Sequence, residues 1–315
     1  MKQPIFFNPI FKERVWGGEQ LRAEFDYEIP STNTGECWAI SAHENGSSTV
    51  SEGEYKGKTL TQLWESEKEL FGNIEGEKFP LLIKILDANA DLSVQVHPDD
   101  EYGAKYENGE LGKTECWYII DCDEDAEMIY GHNASSKDEL KAMIQNNQWD
   151  DLLRRVKIKP GDFYYVPSGT VHALCKGTLV LETQQNSDTT YRLYDYDRKD
   201  AQGNLRELHL KKAIDVTKVP HTDQKSSSKV ERIEGAEITT FVENNFFTVQ
   251  KWSVDGKLQR QQTKPFQLVS VISGEGTLQV DHELYKIKKG NHFLLPSKLG
   301  SFEVNGNLEM IASYC

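Results

Sequence analysis

The chain has 315 residues, 37% hydrophobic and 27% charged, which excludes a disordered chain and allows one large or two ordinary domains. Its formal charge of −14 repels nucleic acid, anionic membranes and phosphorylated metabolites at long range, so a site for a small anion needs local cations. No apolar run approaches the roughly 20 residues that span a bilayer, and the first residues lack a signal-peptide core; five cysteines without a C-x-x-C pair fit reduced thiols in a cytoplasm.

The first forty residues read as irregular wrapping with a short helix, and Trp16-Gly17-Gly18 as a turn that lets backbone approach closely. Residues 35–41 read as a strand. Thr59 then caps a helix with Leu60, Leu63, Trp64, Leu70 and Phe71 on or near one face. Residues 81–88 are apolar on both faces, as in a strand buried on both sides. Lys84 is the exception. It lies between Leu82 and Leu86 on one face, and it either snorkels to an edge or has a function. Residues 92–97 form the next strand, where alternation puts Gln95 and His97 on one face and Val94 and Val96 on the other. In the strand 115–120, Glu115 shares a face with Trp117 and Ile119, and Lys113 joins it if the strand starts early. Such a carboxylate needs a partner unless it marks an exposed strand start.

Ser136 and Glu139 match a capping box ahead of Leu140, Met143 and Ile144, and residues 149–156 read as a second short helix. Residues 135–156 are thus expected as a helical insertion on a β-rich body. Residues 158–174 hold two reversals, Pro160-Gly161-Asp162 and Pro167-Ser168-Gly169, around the short strand 163–166. His172 follows on the next strand, held on rigid backbone as suits a metal ligand; by itself it would read as a half-buried, hydrogen-bonded histidine. The spacing Gly-Asp-x4-Pro-x-Gly-x2-His resembles the second motif of the cupin β-barrels, whose histidine binds a metal.

Residues 178–185 form a strand with Glu182, and 189–194 another with Arg192, flanked by Asp188 and Asp195, which offer it a simple ion pair. A helix near 208–216 follows. Residues 220–229 are polar and serine-rich, as in a linker. Beyond them, turn signals recur every 8–12 residues or so, the pattern of a sandwich or barrel. Residues 274–280 and 288–296 resemble a degenerate cupin, with no histidine after Pro296 and with His282 and His292 outside any metal pattern. The expected fold is mainly β, two cupin-like jelly-roll barrels. The expected domains are 1–219 (metal-binding and catalytic), 220–230 (linker) and 231–315 (a degenerate, structural cupin).

Gln95, His97, Glu115 and His172 supply nitrogen and oxygen ligands from three strands. Two imidazoles and a carboxylate fit a catalytic zinc with an open position, while ligand type also admits Fe(II), Mn(II) or Co(II), and glutamine is the weakest ligand of the set. Over nearly its whole length the sequence resembles the type I phosphomannose isomerases, the mannose-6-phosphate isomerases, in their short bacterial form. The motifs are Phe-Pro-Leu-Leu-Ile-Lys-Ile-Leu-Asp-Ala at 79–88, Leu-Ser-Val-Gln-Val-His-Pro-Asp at 92–99, Gly-Lys-Thr-Glu at 112–115, the run Pro167 to His172, and Tyr-Arg-Leu-Tyr-Asp at 191–195. The resemblance implies an aldose–ketose isomerase that interconverts mannose 6-phosphate and fructose 6-phosphate. It implies one zinc per chain on Gln95, His97, Glu115 and His172, substrate lysines at Lys84 and Lys113, a catalytic arginine at Arg192 and an active-site glutamate at Glu182. Longer members insert a larger helical domain between the metal glutamate and the last histidine, and here that interval is short.

Moving a proton between C1 and C2 through an enediolate needs a base, and positive charge beside the developing oxyanion. Zinc or Arg192 can supply the charge, and Lys84 and Lys113 can hold a phosphate. Glu182 with a raised pKa, a lysine or a zinc-bound water can each be the base. Two other classes compete. A non-catalytic sugar-phosphate-binding bicupin would keep the lysines without needing Glu115, His172 and Arg192 together. Another cupin metalloenzyme, of the iron oxygenase type, has no use for two lysines and an arginine. The expected partner is a small sugar phosphate, with neither nucleic acid nor membrane.

Overall fold

The computed structural model describes residues 3–199, 203–224 and 228–315. Three large antiparallel sheets and one short hairpin carry the architecture. The six-stranded sheet runs, in spatial order, Phe163–Val166, Glu115–Cys122, Thr178–Gln185, Leu81–Ala88, Thr34–Ile40 and Ile10–Gly18. Facing it is a five-stranded sheet in the order Leu153–Lys157, Glu127–His132, His172–Leu174, Val94–Val96 and Tyr191–Tyr194. Together they form the first barrel. Three long strands, Thr248–Gln261, Phe266–Val280 and Ser301–Tyr314, dominate the third sheet, a second cupin-like barrel.

The double burial of residues 81–88 follows from the pleat. Leu81, Ile83 and Ile85 point out of the first barrel and pack against Phe247, Phe266, Leu268 and Ile311 of the second. Leu86 and Ala88 point inward, with Trp117, Ile119 and Val180, onto Met128 and Leu174 of the facing sheet. Burying both faces selects Leu, Ile and Val at alternate positions, so the central strands carry near-continuous apolar runs. The two barrels differ in their interiors. Trp252, Leu258, Val271, Phe293, Phe302 and Met310 fill the second with apolar side chains. The first carries histidine, glutamate and lysine alongside its apolar layer.

Helices Lys137–Gln145 and Leu210–Val216 close the outer face of the five-stranded sheet, with Leu140, Ile144 and Ala213 packed on Val94, Val96 and Ala173. Ser136 caps the first of these through the Glu139 amide. Thr59 and Gln62 form a reciprocal capping box on helix Leu60–Ser66.

The first forty residues are more regular than expected. Ile5–Asn8 pairs with His292–Pro296 of the second barrel and with Thr49–Val50, while Ile10–Gly18 forms the edge of the six-stranded sheet. Two register shifts against Thr34–Ile40 break the alternation of Ile10–Gly18, which hides it from a period-two search. The expected helix over 149–156 is also corrected. Only Trp149–Leu152 is helical, and Leu153–Lys157 is an edge strand paired with Glu127–His132. Trp149, Leu152 and Val156 satisfy a helical spacing, but strand pairing overrides it. In the serine-rich segment, His221 lies against Gly131 and Asp223 takes a bidentate pair from Arg154 at 2.9 and 3.1 Å, so 220–224 rests on the first barrel. Residues 225–227 lie outside the described residues. Among the described residues, no helix is long and apolar enough to cross a membrane.

Candidate metal centre and active-site cavity

Three adjacent elements of the first barrel bring the expected ligands together. Gln95 sits in register with His172, and Arg192 in register with Gln95. His97 follows Val94–Val96 directly, and Glu115 opens its strand in the facing sheet. The ligand atoms of His97, Glu115 and His172 lie within 4.8 Å of one another, and all three residues are buried. His97 Nε2 is 3.5 Å from Glu115 Oε2, and His172 Nε2 is 3.2 Å from Glu115 Oε1.

The far side of each imidazole fixes its tautomer. His97 Nδ1 lies 2.9 Å from the Thr189 carbonyl, and His172 Nδ1 2.8 Å from the Thr170 carbonyl. A carbonyl oxygen only accepts, so each Nδ1 carries the hydrogen and each Nε2 presents a lone pair toward Glu115. Burial holds the His172 imidazole down to about 3 and drives His97 well below its ordinary value, so both stay neutral. His97 Nε2 and both Glu115 oxygens have no hydrogen-bond partner. Burial and the nearby Glu182 charge push the Glu115 carboxyl up to about 8. Buried lone pairs converging on one point with nothing to accept from are what a divalent cation satisfies, so the residues fit a metal. The Gln95 amide lies 3.3 Å from His172 Nε2, and a half-turn of that amide would present its oxygen to the same point.

The cluster adjoins a cavity of about 340 Å³ in which five cationic side chains, Arg14, Lys84, Lys113, Arg192 and Arg206, face three carboxylates, Glu36, Glu182 and Asp188. A net positive lining inside a chain of charge −14 is what an anionic ligand requires. A larger groove of about 790 Å³ beside helices Asp100–Tyr106 and Leu210–Val216 contains no metal-ligand cluster among the described residues, so size alone does not mark the site.

Lys84 does not snorkel. It is 3% exposed, with its ammonium 3.6 Å from Glu182 Oε2, 3.9 Å from Glu36 Oε2 and 5.1 Å from the centre of the Trp38 ring. Lys113 is buried with its ammonium 3.4 Å from Glu115 Oε2, although its strand begins only at Glu115. The aspartate pairing suggested for Arg192 is not what forms. Asp195 is occupied by Arg198 and Arg206, each at 2.7 Å. Arg192 donates instead to Ser93 Oγ at 3.3 Å and to the Glu207 carbonyl at 2.8 Å. The register shifts after Arg192, and Tyr194 stacks on Trp149 with the ring centres 4.4 Å apart. Glu182 accepts from the Trp117 indole at 3.0 Å, so a fixed donor orients its carboxylate.

Sequence reasoning missed Glu36, Arg14 and Trp38. Glu36 accepts from Arg14 Nε and from Trp38 Nε1, each at 2.6 Å. Burial would raise its pKa, but Lys84, Arg14 and the Trp38 hydrogen bond overcome this and hold it down to about 2. A signal existed. Glu-Cys-Trp occurs at 36–38 as well as at 115–117, and in each copy alternation puts a carboxylate beside an indole on one face.

A buried two-histidine, one-glutamate centre opening on a cation-lined cavity defines a two-barrel cupin protein built to hold a metal beside a small anion. Residues 5–129 match the family model for the phosphomannose isomerase type I catalytic domain, and residues 237–315 that for the mannose-6-phosphate isomerase cupin domain. His172, Glu182 and Arg192 fall between these matches, but relatives align through them. Mannose-6-phosphate isomerase ManA of Bacillus subtilis is 61% identical over 312 residues, covering 99% of each chain. Mannose-6-phosphate isomerase of Streptococcus mutans is 52% identical over 314 residues, covering 100% of this chain and 99% of its own. The crystal structure of mannose 6-phosphate isomerase from Bacillus subtilis superposes with a TM-score of 0.98 at 56% identity, with each chain fully covered. The chain belongs to the type I phosphomannose isomerase family.

Proposed function

We propose that the protein interconverts mannose 6-phosphate and fructose 6-phosphate, with one zinc ion per chain held by His97, Glu115, His172 and Gln95. The observation that carries this is the union of two features in one cavity: converging, unpartnered ligand atoms and a surplus of cations. Held by these residues, zinc would supply positive charge beside the oxyanion that develops in the enediolate. The neutral Nδ1–H tautomers of His97 and His172 hold those ligands in place through the Thr189 and Thr170 carbonyls. Lys84 and Lys113 bind the anionic substrate, and their burial makes each charge–charge contact stronger than it would be in water. Arg192, free of any carboxylate partner among the described residues, stabilises the oxyanion that develops in the enediolate. Glu182, oriented by Trp117, takes the proton from one carbon, and its protonated form returns it to the other.

The same cavity speaks against a non-catalytic sensor, which has no need for lone pairs converging beside an unpaired arginine. The iron oxygenase reading leaves the five cations without a task. The described cysteines are all free thiols, which supports a reducing compartment, and we assign the protein to the cytoplasm. The test is steady-state formation of fructose 6-phosphate from mannose 6-phosphate, with elemental analysis of wild type and His172→Ala. The expected result is turnover with one zinc per chain in wild type, and loss of both in the variant. Turnover by a His172→Ala protein that lacks metal would overturn the assignment.

A further inference from the structure

Lys84 is an ammonium suspended between two anions. Both of its nearest carboxylate oxygens, Glu182 Oε2 at 3.6 Å and Glu36 Oε2 at 3.9 Å, lie beyond hydrogen-bond distance. Among the described residues, no protein group accepts a hydrogen from it. Charge-assisted contacts normally close to about 2.7–2.9 Å, so something prevents the collapse.

The two flanking carboxylates cannot swing. Glu36 is pinned through Oε1 by Arg14 Nε and through Oε2 by Trp38 Nε1. Glu182 is pinned through Oε1 by Trp117 Nε1. Each indole comes from the neighbouring strand or from two residues along the same strand: Glu182 faces Trp117 and Lys84 in register, and Lys84 faces Trp38. The result is a row of fixed charges across adjacent strands, Arg14, Glu36, Lys84 and Glu182, with one indole locking each glutamate. The opposed pulls of two fixed carboxylates largely cancel, so the Lys84 side chain's own conformation sets where the ammonium sits in the cavity floor, with its hydrogens uncommitted.

We propose that Glu36 is a positioning residue that, locked by Arg14 and Trp38, holds Lys84 away from Glu182 and keeps its donors available to the substrate. This rests on Lys84 being a substrate-binding residue of the isomerase. Remove the Glu36 charge, and Lys84 closes onto Glu182, which occupies an N–H of one and the free oxygen of the other. Glu36 touches no substrate itself; its effect passes through Lys84.

A double-mutant cycle between Glu36→Gln and Lys84→Met tests this, because a positioning role must vanish when the group being positioned is gone. On all four proteins, kcat/KM is read with mannose 6-phosphate. So is the calorimetric dissociation constant for the equilibrated mixture of the two sugar phosphates, which needs no turnover. Zinc content and Tm are recorded alongside. The expected result is a loss of about one to two decades for Glu36→Gln in wild type, with zinc retained, and less than about a twofold change in the Lys84→Met background. An equal loss in both backgrounds, or no loss in wild type, overturns the proposal. If Glu36→Gln does not fold, Arg14→Met replaces it. That change leaves Glu36 charged with Oε1 released and Trp38 alone holding Oε2, so the carboxylate can turn toward Lys84, and its loss must likewise disappear in Lys84→Met. An inactive wild-type chain would sink the isomerase reading and this proposal with it. That outcome is distinct from an active wild type with independent mutations, which sinks this proposal alone.

Discussion

Arg192 sits half-buried at the cavity with donors to Ser93 Oγ and the Glu207 carbonyl. A structural arginine would leave an unpaired buried carboxylate behind when removed, a loss of about 3–5 kcal/mol. Here Asp195 keeps Arg198 and Arg206, so no carboxylate is left unpaired and the structural loss is limited to two guanidinium hydrogen bonds to neutral acceptors, about 1.5–3 kcal/mol each. Arg192→Ala is therefore expected to stay folded with zinc bound while kcat falls about 10²–10³-fold, by analogy with removing one oxyanion donor. Arg192→Lys should recover only part of this, since an ammonium lacks the planar fork. A thermal melt, a zinc assay and steady-state kinetics on one preparation check it. A variant that melts far below wild type yet keeps its kcat would make Arg192 structural.

Among the elements, the strand Leu81–Ala88 does two jobs, and Asp87 near its end shows a third. Asp87 Oδ2 accepts the Gln20 amide at the start of helix Gln20–Phe25 at 2.8 Å. Burial nevertheless pushes its carboxyl up to about 6, above the roughly 3.9 of an unfolded chain. Between those two values the folded state binds more protons than the unfolded one, so this residue's contribution to stability is lost as pH rises through about 6. Asp87→Asn keeps an acceptor for Gln20 and removes the titration. Its Tm should equal that of wild type near pH 4 and exceed it at pH 8. A gap that does not change with pH, or that reverses, would contradict this.

The same element scale decides what the sequence could reveal. Leu81–Ala88 and Thr178–Gln185 are legible because packing on both faces forces apolar residues at every other position on each side. Gln95 and His97 stand out as a polar face opposite Val94 and Val96, Glu115 as a carboxylate on the face of Trp117 and Ile119, and His172 by the cupin-like spacing that precedes it. Ile10–Gly18 is not, because two register shifts destroy its period, and Leu153–Lys157 is not, because a single pairing partner defines it. Glu36 escaped for a different reason: it lies outside the metal motifs, and its worth depends on Lys84 and Arg14, which only the sheet brings beside it.

The two barrels share a core, and the N-terminal segment contributes a strand to the second barrel's sheet. The outer face of the six-stranded sheet packs on Phe247, Phe266, Leu268, Leu294 and Ile311, and Ile5–Asn8 hydrogen-bonds into the second barrel. The second barrel thus serves as a lid on the first barrel's outer core. A chain ending at residue 224 would expose that apolar face and is expected to aggregate or to lack a cooperative melt, as read by light scattering and calorimetry. A soluble, cooperatively melting fragment with zinc bound would show that the first barrel stands alone.

In the proposed reaction, a base in the cavity beside His97, Glu115 and His172 moves a proton between C1 and C2 while a cation held by those residues supplies positive charge. Proton NMR of mannose 6-phosphate with the protein in D2O tests it most directly. The zinc-loaded protein should produce fructose 6-phosphate, with solvent deuterium at its C1 and at C2 of mannose 6-phosphate to the extent that the protonated base exchanges before it returns its proton. Chelation should stop both, and added zinc restore them. Absence of conversion by the zinc-loaded protein, or conversion that survives removal of the metal, would contradict this proton-transfer mechanism.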